Sequence, residues 1–344
     1  MFPRRLRLLC TLVCSVAPVL VAQGRPTHAP VTAPADAGRP VIVLIHGRNE
    51  MFRVTDELQN EFIGSLRDGL SKVDAGDMLR PGTVDVWFVN YQDIFEPDDA
   101  VPSRLWCLPV MQTLDYLPTL EADTAKTASW WDNFKQGITN QLSKSNKAIG
   151  LALNFTKDTR AYVENPLVSC AVNRRLYAKL DSAAALQRPV ILIGHSMGTL
   201  VAMRVLSNVS RLPQPHVASF VSIGTQLRVK DLVARLLGPP LPDSAPKRMV
   251  PSSLGVWHDF HGLDDAISPQ GGAAIAALWA SGPTPWTFVD DVETNLDDRH
   301  SFIGYLKHPT VADTIRVEWC RAASAKYRND PKVSGAPRSY CRGA

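Results

Sequence analysis

"VILIGHSMGTLVAMRVL", residues 190–206, decides how the chain is read. Four branched apolar residues in a row suit a strand covered on both faces better than a half-exposed one. The run stops at Gly194-His195-Ser196-Met197-Gly198, and Met197, Leu200, Val201 and Val205 then recur with helical spacing. Strand, tight turn and helix in that order are the context that makes G-x-S-x-G a nucleophile elbow rather than a chance pentapeptide. Gly194 and Gly198 fit such a turn, because side chains two residues to either side of the serine would meet neighbouring backbone. A serine hydroxyl is a weak nucleophile until a base takes its proton. Ser196 as nucleophile therefore requires a base, an acid that orients the base, and donors for an oxyanion.

Outward from this stretch, further apolar runs recur: "VIVLI" (41–45), "VDVWFVNY" (84–91), "HVASFVSIG" (216–224), "LGVWHDF" (254–260) and "WTFVDDV" (286–292). Helical patterns, such as that around residues 56–73, separate most of them. Alternating strand and helix predicts a doubly wound α/β fold with a mostly parallel sheet. Two spans exceed what a crossover needs. Residues 93–188 hold three amphipathic segments, "SWWDNFKQGITNQL", "LALNFTKDTRAYV" and "RRLYAKLDSAAAL", and predict a helical cap or lid inserted before the nucleophile strand. Residues 227–252 hold "KDLVARLL" followed by "GPPLPDSAPKRMVP", whose prolines predict a surface loop. Trp106, Trp130 and Trp131 could line an acyl pocket, although aromatics in a helical insertion more often pack its core.

The 344 residues are 45% hydrophobic and 20% charged, ordinary for a folded globular chain. Residues 1–22 place Arg4, Arg5 and Arg7 before an apolar run that ends in small residues, the pattern of a secretory signal peptide. Pro18 interrupts that run, which is shorter than the about 20 apolar residues of a spanning helix, so cleavage is favoured over an uncleaved anchor. A flexible leader, 23–39, should follow, then one domain over 40–325 and a polar tail over 326–344. Cleavage would remove three of the 37 basic residues and none of the 33 acids, leaving an excess of one positive charge. That balance gives no reason to expect nucleic acid or an acidic membrane surface as partner. Four cysteines would remain, Cys107, Cys170, Cys320 and Cys341, and an even count in an exported chain favours disulfides. Three pairings are open; locality favours Cys320 with Cys341, and Cys107 with Cys170. No CxxC or HExxH spacing points to a metal. Asn154 and Asn208 stand in glycosylation-type tripeptides, informative only in a source that glycosylates.

"GHSMG" after "VILI", with "VIVLIHG" upstream, resembles the α/β-hydrolase superfamily, in particular its lipase- and esterase-like serine hydrolases. The resemblance spans about residue 40 to about residue 320 and implies the order Ser, acid, His along the chain. His216, His258, His261, His300 and His308 all follow the elbow. His300 in "ETNLDDRHSFIGYL" stands where the superfamily presents its histidine, with His261 and His308 as competitors. For the acid, "DAI" in "DFHGLDDAISP" favours Asp265, with adjacent Asp264 as the alternative. One oxyanion donor should be the Met197 amide. The other, by resemblance, is the Arg48 amide after His46-Gly47, although further glycines are replaced there by Arg48 and Asn49.

These residues imply an exported, secreted or periplasmic serine hydrolase that cleaves small-molecule or lipid-like carboxylic esters without a cofactor. An acyltransferase or peptidase would use the same three residues, and a non-catalytic binding protein could share the fold.

Overall fold

The computed structural model describes residues 37–47, 55–80, 82–95, 131–133, 135–136, 156–208, 217–238, 247–262, 265, 267–268, 272–280, 282, 284–290, 292–294, 299–328, 340–341 and 343–344. All of them lie in one compact unit, Pro34–Ala344. The expected signal, most of the leader, Arg48, Trp106, Cys107, Trp130, Asn154, His216 and Asp264 lie outside the described residues.

Six parallel strands form the central sheet: β1 (Val41–Ile45), β2 (Asp85–Val89), β3 (Val190–His195), β4 (Val217–Ile223), β6 (Leu254–Phe260) and β8 (Trp286–Val289), in the order β2-β1-β3-β4-β6-β8. In the centre of the sheet, β1 and the first four residues of β3 are continuous apolar runs because the sheet is covered twice there. Val41, Val43 and Ile45 of β1 enter one core, and Ile42 and Leu44 the other. On β3 the division repeats, Val190 and Leu192 against Ile191 and Ile193. Helices α2 (Pro166–Ala185), α3 (Met197–Asn208) and α4 (Lys230–Leu237) cover the first face. Helices α1 (Thr55–Ser71), α6 (Phe302–Lys307), α7 (Pro309–Ala322) and α8 (Ala325–Arg328) cover the second. This is the doubly wound α/β arrangement with a mostly parallel sheet.

Within the 93–188 span, α2 starts at the Asn165 cap, whose Oδ1 accepts from the N–H groups of Leu167 (3.0 Å) and Val168 (3.3 Å), with Pro166 at the first helical position. Val168, Val172, Leu176 and Leu180 then face the sheet, so these twenty residues serve as the crossover into β3. Residues 156–164 are also helical, and Tyr162 and Trp131 are buried in the same core. In the 227–252 span, β5 (Arg248–Met249) pairs in parallel with β7 (Trp279–Ala280), which directly follows α5 (Gly272–Leu278). At the carboxyl end of the chain, Cys320 and Cys341 are joined by a disulfide. Cys170 is disulfide-bonded as well.

The strand order reverses between β1 and β3: the chain leaves β1 for β2 on one side and reaches β3 on the other. Loops at such a switch point diverge and leave a crevice at the carboxyl ends of the strands. His46-Gly47 follows β1 there, and Ser196 follows β3.

Candidate active site

Ser196 is the one residue between β3 and α3, and its φ of +53° is left-handed. Such backbone costs a non-glycine residue roughly 1–2 kcal/mol and needs support. The Ser196 N–H donates to Ile223 O (3.1 Å), and its carbonyl accepts from the Thr199 N–H (2.9 Å) and the Thr199 hydroxyl (2.6 Å). Thr199 is held in turn by Thr225, hydroxyl to hydroxyl at 2.7 Å. Close approach of backbone dictates Gly198, where a Cβ would stand 2.5 Å from His46 O and 2.6 Å from Ile45 O. The same packing sets the loop after β1 directly over the serine.

His300 lies just before α6, which Ser301 caps by accepting from the Ile303 N–H (3.3 Å). Its Nε2 is 2.8 Å from Ser196 Oγ, and its Nδ1 is 2.9 Å and 2.8 Å from the two carboxyl oxygens of Asp265. An ionised carboxylate only accepts, so the imidazole proton sits on Nδ1 and Nε2 is left to accept from the serine hydroxyl. Asp265 Oδ1 also accepts from the N–H groups of Ile267 (3.0 Å) and Ser268 (3.2 Å), and Oδ2 from the Tyr305 hydroxyl (2.7 Å). Burial alone would raise the Asp265 pKa. The charge and hydrogen bond of His300 and the Tyr305 bond outweigh it and hold the carboxyl below its usual range.

A second histidine supports the first. His195 Nε2 donates to His300 O (2.7 Å), with the two rings 5.0 Å apart. Burial, joined by the charge of His300, lowers the His195 pKa to about 3, so this ring stays neutral. Of the competing histidines, His261 is buried with Nδ1 on Ser268 Oγ (3.2 Å), and His258 Nδ1 meets Thr287 Oγ1 (2.8 Å). His308 caps α7, where its ring accepts from the Thr310 N–H at 3.3 Å.

Met197 is the first residue of α3, where helical N–H groups lack acceptors within their own helix. His46 is clamped opposite it: its ring stacks on Tyr91 at 4.3 Å, and the Tyr91 hydroxyl donates to His46 O (2.5 Å). Gly47 leaves room for Ser196, whose Cβ would lie 2.5 Å from a Cβ added there. Among the described residues, no group of three or more His, Cys, Asp or Glu side chains is arranged to hold a metal ion.

A sequence model described as the Alpha/beta hydrolase family matches residues 157–333, just over half of the 344-residue chain. The chain belongs to the alpha/beta hydrolase family. The matched segment carries Ser196, Asp265 and His300, while β1 with His46 and Gly47 lies ahead of it. A search of curated proteins returns no match.

Several residues that shape the site in this alpha/beta hydrolase escaped the sequence reading. Tyr305, five residues after His300, reads as helix core in "SFIGYL", and nothing local marks its hydroxyl. His195 occupies a variable position of the elbow motif. Gly224, with φ +57°, ends β4 against the imidazole: a Cβ there would lie 3.1 Å from Asp265 Oδ2 and 3.2 Å from His300 Cε1. Beneath the site, Arg228 donates through Nε (3.1 Å) and Nη2 to Asp259 Oδ2 and through Nη1 to Asp290 Oδ1 (3.0 Å). Ser222 Oγ donates to the other Asp259 oxygen at 2.5 Å, and Trp257 Nε1 donates to Ser222 Oγ at 2.8 Å. The arginine and Asp259 are almost wholly buried. They tie the segments that follow β4 and β8 to the carboxyl end of β6.

Proposed function

We propose that this alpha/beta hydrolase cleaves carboxylic esters with Ser196 as nucleophile, His300 as general base and acid, and Asp265 as the residue that orients His300. The observation that carries the reading is the unbroken hydrogen-bonded chain from Ser196 Oγ through both ring nitrogens of His300 to Asp265, starting from a serine in a left-handed turn. In the first step Ser196 Oγ bonds the acyl carbon as its proton passes to His300 Nε2, and the carbonyl electrons move to oxygen. The Met197 amide and the Arg48 amide would donate to that oxyanion. Collapse expels the alkoxide, which takes the proton from Nε2, and leaves Ser196 acylated. Water then repeats the sequence and releases the acid. The reaction calls for no cofactor.

The proposal extends to an exported protein: a signal over 1–22, a leader over 23–39, the hydrolase domain over 40–325 with a cap drawn from the 93–188 insertion, and a tail over 326–344. The Cys320–Cys341 disulfide suits an oxidising, secreted or periplasmic setting. Among the described residues no helix is long and apolar enough to cross a membrane. A small-molecule or lipid-like ester is the proposed substrate.

The test is labelling of the purified protein with a fluorophosphonate probe, beside Ser196→Ala. The wild type should label and the variant should not; equal labelling, or none in either, sinks the nucleophile assignment. Hydrolysis of esters graded by acyl length then defines the substrate. If added alcohol or amine outcompetes water for the acyl group, an acyltransferase replaces the esterase reading.

A further inference from the structure

Asp265 is held differently at its two oxygens. Oδ1 accepts from two backbone N–H groups of its own turn, those of Ile267 and Ser268, and lies 2.9 Å from His300 Nδ1, which straddles both oxygens. Oδ2 receives side chains: His300 Nδ1 at 2.8 Å and the Tyr305 hydroxyl at 2.7 Å. The Tyr305 oxygen itself accepts from the Gly262 N–H at 2.9 Å. A phenol has one proton, and an amide N–H cannot accept it, so that proton is directed at Asp265 Oδ2. Burial, and after it the charge of Asp265, raises the Tyr305 pKa well above its usual value, so the phenol keeps its proton at neutral pH.

The covalent path strengthens the arrangement. Tyr305 sits on α6, which begins two residues after His300. His300 bonds Asp265, Asp265 bonds Tyr305, and the backbone from 300 to 305 closes the ring. The Tyr305 ring is itself fixed in the core formed with Val292, Phe302 and Leu306.

We propose that Tyr305 is a positioning residue whose hydroxyl, oriented by the Gly262 N–H, sets the rotation and basicity of the Asp265 carboxylate and through it the proton affinity of His300. Its catalytic consequence rests on the proposed ester hydrolysis; its effect on His300 does not. Each donor draws charge from the carboxylate. With the phenol proton removed, Oδ2 keeps His300 as its side-chain donor, attracts the Nδ1 proton more strongly and stabilises the imidazolium. The carboxylate also loses the one of its two side-chain contacts that does not move with the imidazole. Tyr305 acts on the base from behind, so the loss should fall on kcat rather than on KM. Among the described residues, the titratable and polar groups facing the His300 ring are Asp265, Ser196 and the neutral His195. Behind Asp265, His261 acts on the carboxylate, and Arg228, Asp259 and Asp290 act in turn on His261.

Two variants of the full chain test the proposal: Tyr305→Phe, which deletes the hydroxyl, and 3-fluorotyrosine placed at 305, which keeps the shape and makes the phenol a stronger donor. The primary readout is the His300 titration midpoint, followed by NMR of ring-labelled histidine in the free protein. Tyr305→Phe should raise the midpoint by about half a pH unit, and 3-fluorotyrosine should move it the other way. On an ester substrate, Tyr305→Phe should lower kcat about tenfold with KM within about twofold, and move the acidic limb of the pH profile upward by the same interval. A residue that only fills the core would lower Tm and leave the midpoint in place, and that outcome overturns the proposal. If Tyr305→Phe does not fold, the fluorotyrosine protein decides, and an unmoved midpoint there is equally fatal. Opposed shifts in a protein inert to fluorophosphonate would sustain the positioning role and reject the hydrolysis.

Discussion

Asp259 and Asp265 lie six residues apart at the carboxyl end of β6, both shut off from water, and the fold treats them in opposite ways. Asp259 faces the Arg228 guanidinium, which does not release its proton in any pH range where proteins fold. Asp265 faces an imidazole, whose charge can come and go, and its remaining bonds come from dipoles: two backbone N–H groups and a phenol. A fixed counter-charge makes the first carboxylate a clasp that holds the segments after β4 and β8 to the end of β6. A variable one leaves the second able to serve proton transfer. Burial alone therefore does not separate structural from chemical carboxylates; the partner's ability to titrate does.

Substituting each carboxylate should separate the two roles. Asp265→Asn keeps the shape but offers the imidazole an amide that can stabilise the wrong tautomer. Under the proposed chemistry kcat should fall about ten-thousandfold with little change in Tm. Retention of kcat within tenfold would erase the distinction. Arg228→Ala should do the reverse, leaving Asp259 buried without its cation at a cost of about 3–5 kcal/mol in urea unfolding, while fluorophosphonate labelling per folded molecule is retained. Replacing both partners, Arg228→Met with Asp259→Leu, should cost less than Arg228→Ala, because no unpaired charge then remains in the core. A larger loss in the double variant would show that the pair contributes more than mutual neutralisation.

The same contrast explains what could be read from the chain. Runs 41–45 and 254–260 match their strands to the residue; the first does so because a strand buried on both faces writes an unbroken apolar signature, the second although Gly255, His258 and Asp259 interrupt its apolar pattern. Run 84–91 narrows to 85–89 because Tyr91 turns away to bond His46 O, and run 286–292 ends at Val289 because Asp290 turns to Arg228. Those ends are set by tertiary bonds that no local pattern encodes. Ser196, Asp265 and His300 could be nominated because a turn motif and chain order mark them, and the structure brings those three together. The Arg228–Asp259 pair had no such mark: an arginine in a loop and an aspartate on a strand, 31 residues apart, look unrelated until folded. Tyr305 was hidden for the opposite reason, because its ring fits the core pattern and masks its hydroxyl.

His195 extends the comparison to pH. Burial and His300 lower its folded pKa to about 3 from 6.5, so between those values the unfolded chain binds a proton that the native state does not. Stability is therefore complete above the unfolded value and falls as pH drops below it. The loss between pH 7 and pH 5 from this group is about 2 kcal/mol. His195→Asn should remove that portion of the slope, so that its unfolding free energy falls less steeply than the wild type's over the same interval. Parallel curves for the two proteins would mean that His195 is protonated in the folded state and does not donate to the His300 carbonyl as a neutral ring.

The smallest effect tests how closely the variable-charge side is built. Gly224→Ala places a Cβ against Asp265 Oδ2 and the His300 ring at a φ of +57°, whereas Gly82→Ala, at φ +81°, meets nothing within 4 Å. Both substitutions carry the left-handed backbone penalty of roughly 1–2 kcal/mol. They should lower stability by similar amounts in urea. They should differ in rate, because at Gly224 the added methyl must displace the imidazole or the carboxylate by a few tenths of an ångström. Displacement of that order should cost about tenfold in kcat, and Gly82→Ala should cost none. Equal kcat values for the two variants would mean that the His300–Asp265 pair tolerates displacement. The closeness of Gly224 would then belong to packing, as the Arg228–Asp259 clasp does.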